Sequence, residues 1–135
     1  MNTAISDPRT TFLLGAGLDV LHQESREWLE TTSFWEDEMK FIDKLLHRSE
    51  PLNQDLKAHK EMMESLHHLH DDFLNQLIED VIEQEQLLAR LERKEKGLAD
   101  WDYRELHGRL HRRMDIMRKD FRLFKKVLFG YVKSL

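Results

Sequence analysis

The chain has 135 residues, of which 35% are charged and 40% hydrophobic, and its formal net charge is −5 at neutral pH. That length is typical of one domain, and the composition excludes both a disordered chain and a bundle of membrane helices. Because the chain contains no cysteine, disulfide bonds, thiolate catalysis and thiolate zinc sites are excluded.

Helix-breaking residues divide the chain into three segments. The breaks are Asp7-Pro8, the turn around Pro51, and Gly97 after a basic run. Between them no run alternates between apolar and polar residues with a period of two, so we expect no strand. The sequence predicts one domain over 1–135, with a flexible segment at 1–10 and three helices at about 11–49, 53–96 and 99–134.

The apolar residues of the first predicted helix recur in steps of three and four. This stripe comprises Leu14, Leu18, Leu21, Ser25, Trp28, Thr32, Trp35, Met39, Ile42 and Leu46. A second apolar arc, formed by Phe34, Phe41 and Leu45, lies about 120° away on the same helix. Two interpretations stay open for this arc: packing inside the bundle against a second neighbour, or contact with another copy of the chain.

The second predicted helix has a similar stripe with one irregularity. Its members are Leu56, His59, Met63, Leu66, His70, Phe73, Leu77, Val81, Gln84, Leu88 and Leu91. Two successive steps of four around Leu77 predict a local change of helical register. The motif "ESLHHLHDD" at residues 64–72 places His70 in the stripe, where we expect a hydrogen bond with Thr32 rather than a metal.

The third predicted helix is basic and amphipathic. Its stripe contains Tyr103, Leu106, Leu110, Met114, Met117, Phe121, Phe124, Leu128, Tyr131 and Leu135. Such a helix alone resembles a membrane-surface or nucleic-acid-binding segment. Residues 1–50 and 51–100 carry net charges of −5 and −6, whereas residues 101–135 carry +6. We therefore expect the basic side chains of the third helix to pair with acidic side chains of the other two helices. We predict no nucleic-acid and no membrane partner.

The short connections between the helices favour antiparallel neighbours. The predicted fold class is therefore all-α, an up-down-up antiparallel three-helix bundle with long, coiled-coil-like helices. Counting outward from the turns places His107 and His111 level with residues 83–87 of the second helix and 15–19 of the first. A metal site made by His22, Glu83 or Glu85, His107 and His111 is the hypothesis that follows.

The alternative for the two histidines is simpler. His107 and His111 each follow a predicted core residue, and flanking positions are normally polar. Arginines on both sides also disfavour a divalent cation. We therefore expect both histidines to be partly exposed and without a metal, and we expect their substitution by alanine to cost less than about 1 kcal/mol.

No phosphate-binding glycine loop and no nucleophile with a neighbouring base is visible in the sequence. We therefore predict a cytoplasmic, non-enzymatic helical interaction or scaffold protein without a cofactor. It is expected to self-associate, with a dimer favoured, through Phe34, Phe41 and Leu45, and any other protein partner is left open. The alternative function is a helical metal-binding protein with a His/carboxylate site near His107 and His111.

Overall fold

The computed structural model describes residues 17–48, 56–93 and 100–134, which form three long helices and no strand. Helix α1 spans Leu18–Arg48 and helix α3 spans Asp100–Lys133. The predicted fold class, an all-α up-down-up three-helix bundle, is confirmed. The predicted flexible segment at 1–10 and the predicted first-helix start near residue 11 lie outside the described residues.

Helix α2 lies between α1 and α3 in the chain and has three consecutive parts. They are α-helical Leu56–His67, π-helical His68–Leu74 and α-helical Asn75–Glu92. The predicted unbroken second helix is therefore confirmed between Leu56 and Glu92. The predicted register change is a π-helical segment that ends at Leu74, three residues before Leu77.

Cross-helix contacts give the relative directions of the helices. Along α1 and α3 the contacts Glu24–His107 and Glu38–Lys125 advance together, so these two helices are parallel. Against α2 the numbering runs in opposite senses: His22 meets Glu85, and Glu36 meets His70. Helix α2 is therefore antiparallel to both of its neighbours, as the short connections predicted.

The predicted stripe of α1 is confirmed from its second turn to its end. The buried residues of this helix are Leu21, Ser25, Trp28, Thr32, Trp35, Met39, Ile42 and Leu46. Trp35, predicted as a core residue, is only 7% exposed. Steps of three and four keep these side chains on one side of the helix, where they meet both neighbours.

The π-helical segment changes which residues of α2 face the core. The amide of Asn75 donates to the carbonyl of His70, five residues earlier, so the turn is one residue wider than in an α-helix. The buried residues therefore step from Leu69 to Leu74. The prediction that His70 and Phe73 lie in the stripe is wrong, since Phe73 is 47% exposed and His70 is only partly buried.

The buried stripe of α3 follows a regular heptad. Its buried members after Tyr103 are His107, Leu110, Met114, Met117, Phe121, Phe124 and Leu128, in strict steps of four and three, together with Gly108 beside the stripe. The prediction that Leu106 belongs to the stripe is wrong, because it is 39% exposed. His107 occupies the core position instead, and side chains of α1 contact the nitrogens of its polar ring.

The predicted charge pairing between helices is present on both flanks of α3. Arg113 donates to Asp80 of α2 at 2.6 Å, and Lys125 donates to Glu38 of α1 at 3.1 Å. The guanidinium of Arg118 also lies 5.6 Å from the Trp35 ring centroid. None of the helices described within 17–48, 56–93 and 100–134 combines the length and the apolar character that a membrane span requires.

Candidate functional site

The most constrained polar group is His107, whose side chain is completely buried between α1 and α3. Its Nε2–H donates to Glu24 Oε1 at 2.7 Å, and its Nδ1 lies 3.5 Å from Ser25 Oγ. The imidazole is stacked on Trp28, with ring centroids 4.5 Å apart. Burying such a polar ring is costly unless its nitrogens have partners, so Glu24 and Ser25 are what allow a histidine at this core position.

His111, one turn further along α3, shares the same carboxylate. Its Nε2 lies 3.6 Å from Glu24 Oε2, and its Nδ1 lies 3.6 Å from Asp115 Oδ2. The ring meets Trp28 edge-on, with centroids 6.0 Å apart. Glu24 therefore holds two imidazoles of α3 at once, and its own exposure is 27%. We call the group Glu24, Ser25, Trp28, His107 and His111 the His107 cluster.

The hydroxyl, imidazole and carboxylate of the His107 cluster occur in the order found in Ser–His–acid hydrolases. Chemistry of that kind requires the hydroxyl to meet a substrate carbonyl. Ser25 and His107 both have 0% exposure, so a substrate cannot contact Ser25 in this structure. The arrangement can hold α1 against α3, but it offers no accessible nucleophile.

Tyr103 and Gln84 extend the polar group toward α2. Gln84 is 4% exposed, and its Nε2 donates to the backbone carbonyl of Tyr103 at 2.9 Å. Burial raises the pKa of the Tyr103 phenol well above its ordinary value, and the negative charge of Glu85 raises it further. The phenol therefore stays neutral through the physiological pH range.

The residues of the predicted metal site divide into two separate groups. His22 Nδ1 pairs with Glu85 Oε2 at 2.8 Å, between α1 and α2. His107 and His111 turn instead toward Glu24, and Glu83 lies exposed on α2. Across residues 17–48, 56–93 and 100–134, no three His, Asp or Glu side chains are placed to share a metal ion. The structure thus does not bring the four predicted metal ligands together.

The sequence-based alignment of levels was wrong for α1. His107 meets Glu24 and Ser25, not residues 15–19. The expectation that His107 is a partly exposed flanking residue is also wrong. His111 fits that expectation better, since 18% of its side chain is exposed.

Sequence reasoning missed Glu24 as a partner of both histidines. Two signals were present in the sequence. Ser25 is a polar residue inside the α1 stripe, and His107 stands where an uninterrupted heptad of α3 places a core residue. When two facing stripes each contain a polar residue, those two residues are expected to contact each other. Glu24 directly precedes one of them, Ser25.

A second histidine group lies in the groove between α1 and the π-helical segment. His67 Nε2 is 3.5 Å from Asp43 Oδ1, and His70 Nε2 is 3.5 Å from Glu36 Oε2. A groove of about 370 Å³ runs beside these pairs. The predicted bond between His70 and Thr32 is wrong, because the Thr32 hydroxyl donates to the carbonyl of Leu29 within α1.

The predicted interface residues lie on the outside of α1. Phe34 is 67% exposed and Phe41 is 66% exposed, whereas Leu45 is half-buried. Of the two interpretations left open for this arc, packing inside the bundle is therefore wrong for both phenylalanines.

Comparison of the chain with protein-family models, curated proteins and solved structures found no match.

Proposed function

We propose that this protein is a non-enzymatic helical interaction protein that works in the cytoplasm and self-associates as a dimer. The observation that carries the proposal is the exposure of Phe34 and Phe41, one heptad apart on α1 and each about two-thirds exposed. Full burial of such a ring contributes about 1.5–3 kcal/mol, so a partner that covers both gains substantial free energy. Aromatic side chains are also enriched at protein interfaces.

The burial of the His107 cluster supports the non-enzymatic part of the proposal. Its hydroxyl and imidazole are both buried, and its contacts join α1 to α3. Burial of the apolar stripe of α3 weighs against a membrane or nucleic-acid role for that helix. Of the three phenylalanines that would serve as anchors in such a role, Phe121 and Phe124 are 0% and 7% exposed, and Phe129 alone is accessible, at 51%.

Sedimentation velocity over a range of protein concentrations tests the proposal. The unmodified chain should sediment as a dimer at high concentration, and Phe41→Glu should shift it toward monomer. Ile116→Glu is the matched control, because Ile116 is 59% exposed but lies on the α2 side of α3. A chain that stays monomeric at high concentration, or a dimer that Phe41→Glu leaves intact, contradicts the proposal.

A further inference from the structure

The exposed phenylalanines of α1 continue onto α3. The contact between Glu38 and Lys125 aligns the two parallel helices, with Nζ 3.1 Å from Oε2. Phe41 comes three residues after Glu38, and Phe129 comes four residues after Lys125, so both lie about one turn further along on the same side of the bundle. Phe129 is 51% exposed. The outer surface of α1 and α3 therefore carries three exposed phenylalanines on one side of the bundle, Phe34, Phe41 and Phe129, which we call the apolar band.

The two edges of this apolar band have opposite charge. Along α1 it is flanked by the exposed carboxylates of Glu27, Glu30 and Asp37, and the exposed cation Lys44 follows at the end of the helix. Along α3 it is flanked by exposed cations. These are Lys119, Arg122 and Lys126, whereas Arg118 lies over the Trp35 ring between the two helices. The surface thus runs from acidic through apolar to basic across the two helices, and we call it the α1/α3 face.

A surface of this kind is complementary to itself under one particular symmetry. A two-fold axis parallel to the helices places α1 of each copy opposite α3 of the other, so acidic edges meet basic edges on both sides. A two-fold axis perpendicular to the helices places α1 opposite α1 and α3 opposite α3, which brings like charges together.

We propose that a second copy of this chain docks on the α1/α3 face with the two-fold axis parallel to the helices. This inference rests on the proposed self-association and specifies its geometry. The phenylalanines of both copies form the centre of the interface, and α1 and α3 of the two copies form a four-helix layer. Helices of 31 and 34 residues are about 46 and 51 Å long. Two such helices side by side offer the roughly 800 Å² per partner that a standard interface buries.

The symmetry also predicts which charged residues face each other. A rotation about an axis parallel to the helices leaves every residue at its own height along the bundle. The contacts of Glu24 and Glu38 place each α1 residue level with the α3 residue numbered 83–87 higher. Asp37 of one copy therefore lies within one turn of Arg122 of the other copy, and the reverse contact follows from the symmetry.

Charge reversal tests this geometry. The first variant is Arg122→Glu with Lys126→Glu, and the second is Glu30→Lys with Asp37→Lys. Each alone places like charges along both seams, so its dimer dissociation constant should rise at least about tenfold at low salt. An equimolar mixture restores opposite charges on both seams and should recover an affinity within about threefold of the unmodified dimer. Glu61→Lys with Glu64→Lys changes the charge of α2 by the same amount as the second variant and should leave the dimer unchanged.

Cross-linking locates the contact directly, because the natural chain has no cysteine. A mixture of Asp37→Cys and Arg122→Cys chains should form a disulfide-linked heterodimer under mild oxidation. A mixture of Asn75→Cys and Arg122→Cys should not, since Asn75 lies exposed on α2. A dimer that ignores both charge reversals, or in which Asp37→Cys links preferentially to itself, overturns this geometry and leaves self-association standing. An unmodified chain that is monomeric in the same experiments overturns both.

Discussion

His107 of α3 is stacked on Trp28 of α1, with ring centroids 4.5 Å apart and planes inclined by 24°. The same imidazole is bonded to Glu24, one helical turn before Trp28. A histidine that must find both partners accepts only one alignment of the two parallel helices. Buried polar residues specify register in this way in coiled coils. We therefore assign His107 the role of setting how α1 and α3 align.

His107→Ala should lower the free energy of unfolding by about 2–4 kcal/mol. The substitution leaves a cavity beside Trp28 and removes the nearer of the two imidazole partners of Glu24. The earlier expectation of a cost below about 1 kcal/mol assumed a partly exposed flanking position, which His107 does not occupy. Urea unfolding followed by circular dichroism measures the change.

His111→Ala is the matched comparison one turn further along α3. Its imidazole lies 3.6 Å from both of its carboxylate partners and is 18% exposed, so the cost should stay below about 1 kcal/mol. Equal costs for the two substitutions would show that burial of His107 does not determine its contribution.

The α3 stripe shows where sequence patterns succeed and where they fail. Hydrophobic periodicity located the helix and its core residues from Leu110 to Leu128. At the preceding turn it favoured the apolar Leu106 over the polar His107, although only His107 preserves the regular heptad. The preference for an apolar residue failed because Glu24 and Ser25 satisfy the histidine, and those partners come from another helix. The sequence signals this contact only indirectly, through the polar residues Ser25 and His107 in the two stripes.

The π-helical segment of α2 predicts different stability costs for substitutions at two adjacent residues, Phe73 and Leu74. Leu74 is fully buried, so Leu74→Ala should cost about 2–5 kcal/mol of stability. Phe73 is 47% exposed, so Phe73→Ala should cost about 1 kcal/mol or less although it removes the larger side chain. Urea unfolding of the two variants under identical conditions makes the comparison. The opposite order would mean that the helix keeps a regular α-helical register here.

The register of α2 could be predicted only in part. The two steps of four around Leu77 correctly indicated an irregularity, because a regular heptad alternates steps of three and four. They did not give its form. A π turn inserts one residue into the ladder, and this carries Leu69 and Leu74 into the core in place of His70 and Phe73. The π-helical segment packs against both α1 and α3, and such tertiary contacts are not written in the local sequence.

Trp35→Ala should lower the free energy of unfolding by about 3–5 kcal/mol, since the indole is 7% exposed in the main core. The substitution also removes the ring beneath the Arg118 guanidinium. Phe34→Ala is the matched control, because Phe34 is the adjacent residue of α1 and is 67% exposed. Measured on the monomer at low concentration, it should cost less than about 1 kcal/mol. A loss for Trp35→Ala as small as this control would contradict the core position of the indole.

The buried phenol of Tyr103 should make the bundle sensitive to alkaline pH. Its pKa is raised above the ordinary value of 10.0 by burial and by the charge of Glu85. Above about pH 10 the unfolded chain therefore loses the phenolic proton while the folded chain retains it. The folded state then binds more protons, so the free energy of unfolding falls as pH rises, by up to about 1.4 kcal/mol per pH unit from this group. Tyr103→Phe removes this titrating group. The decline in the free energy of unfolding between about pH 9.5 and about pH 11 should therefore be shallower than in the unmodified chain. Urea unfolding at a series of pH values measures both declines. Parallel curves for the two proteins would show that Tyr103 titrates alike in the folded and unfolded chain.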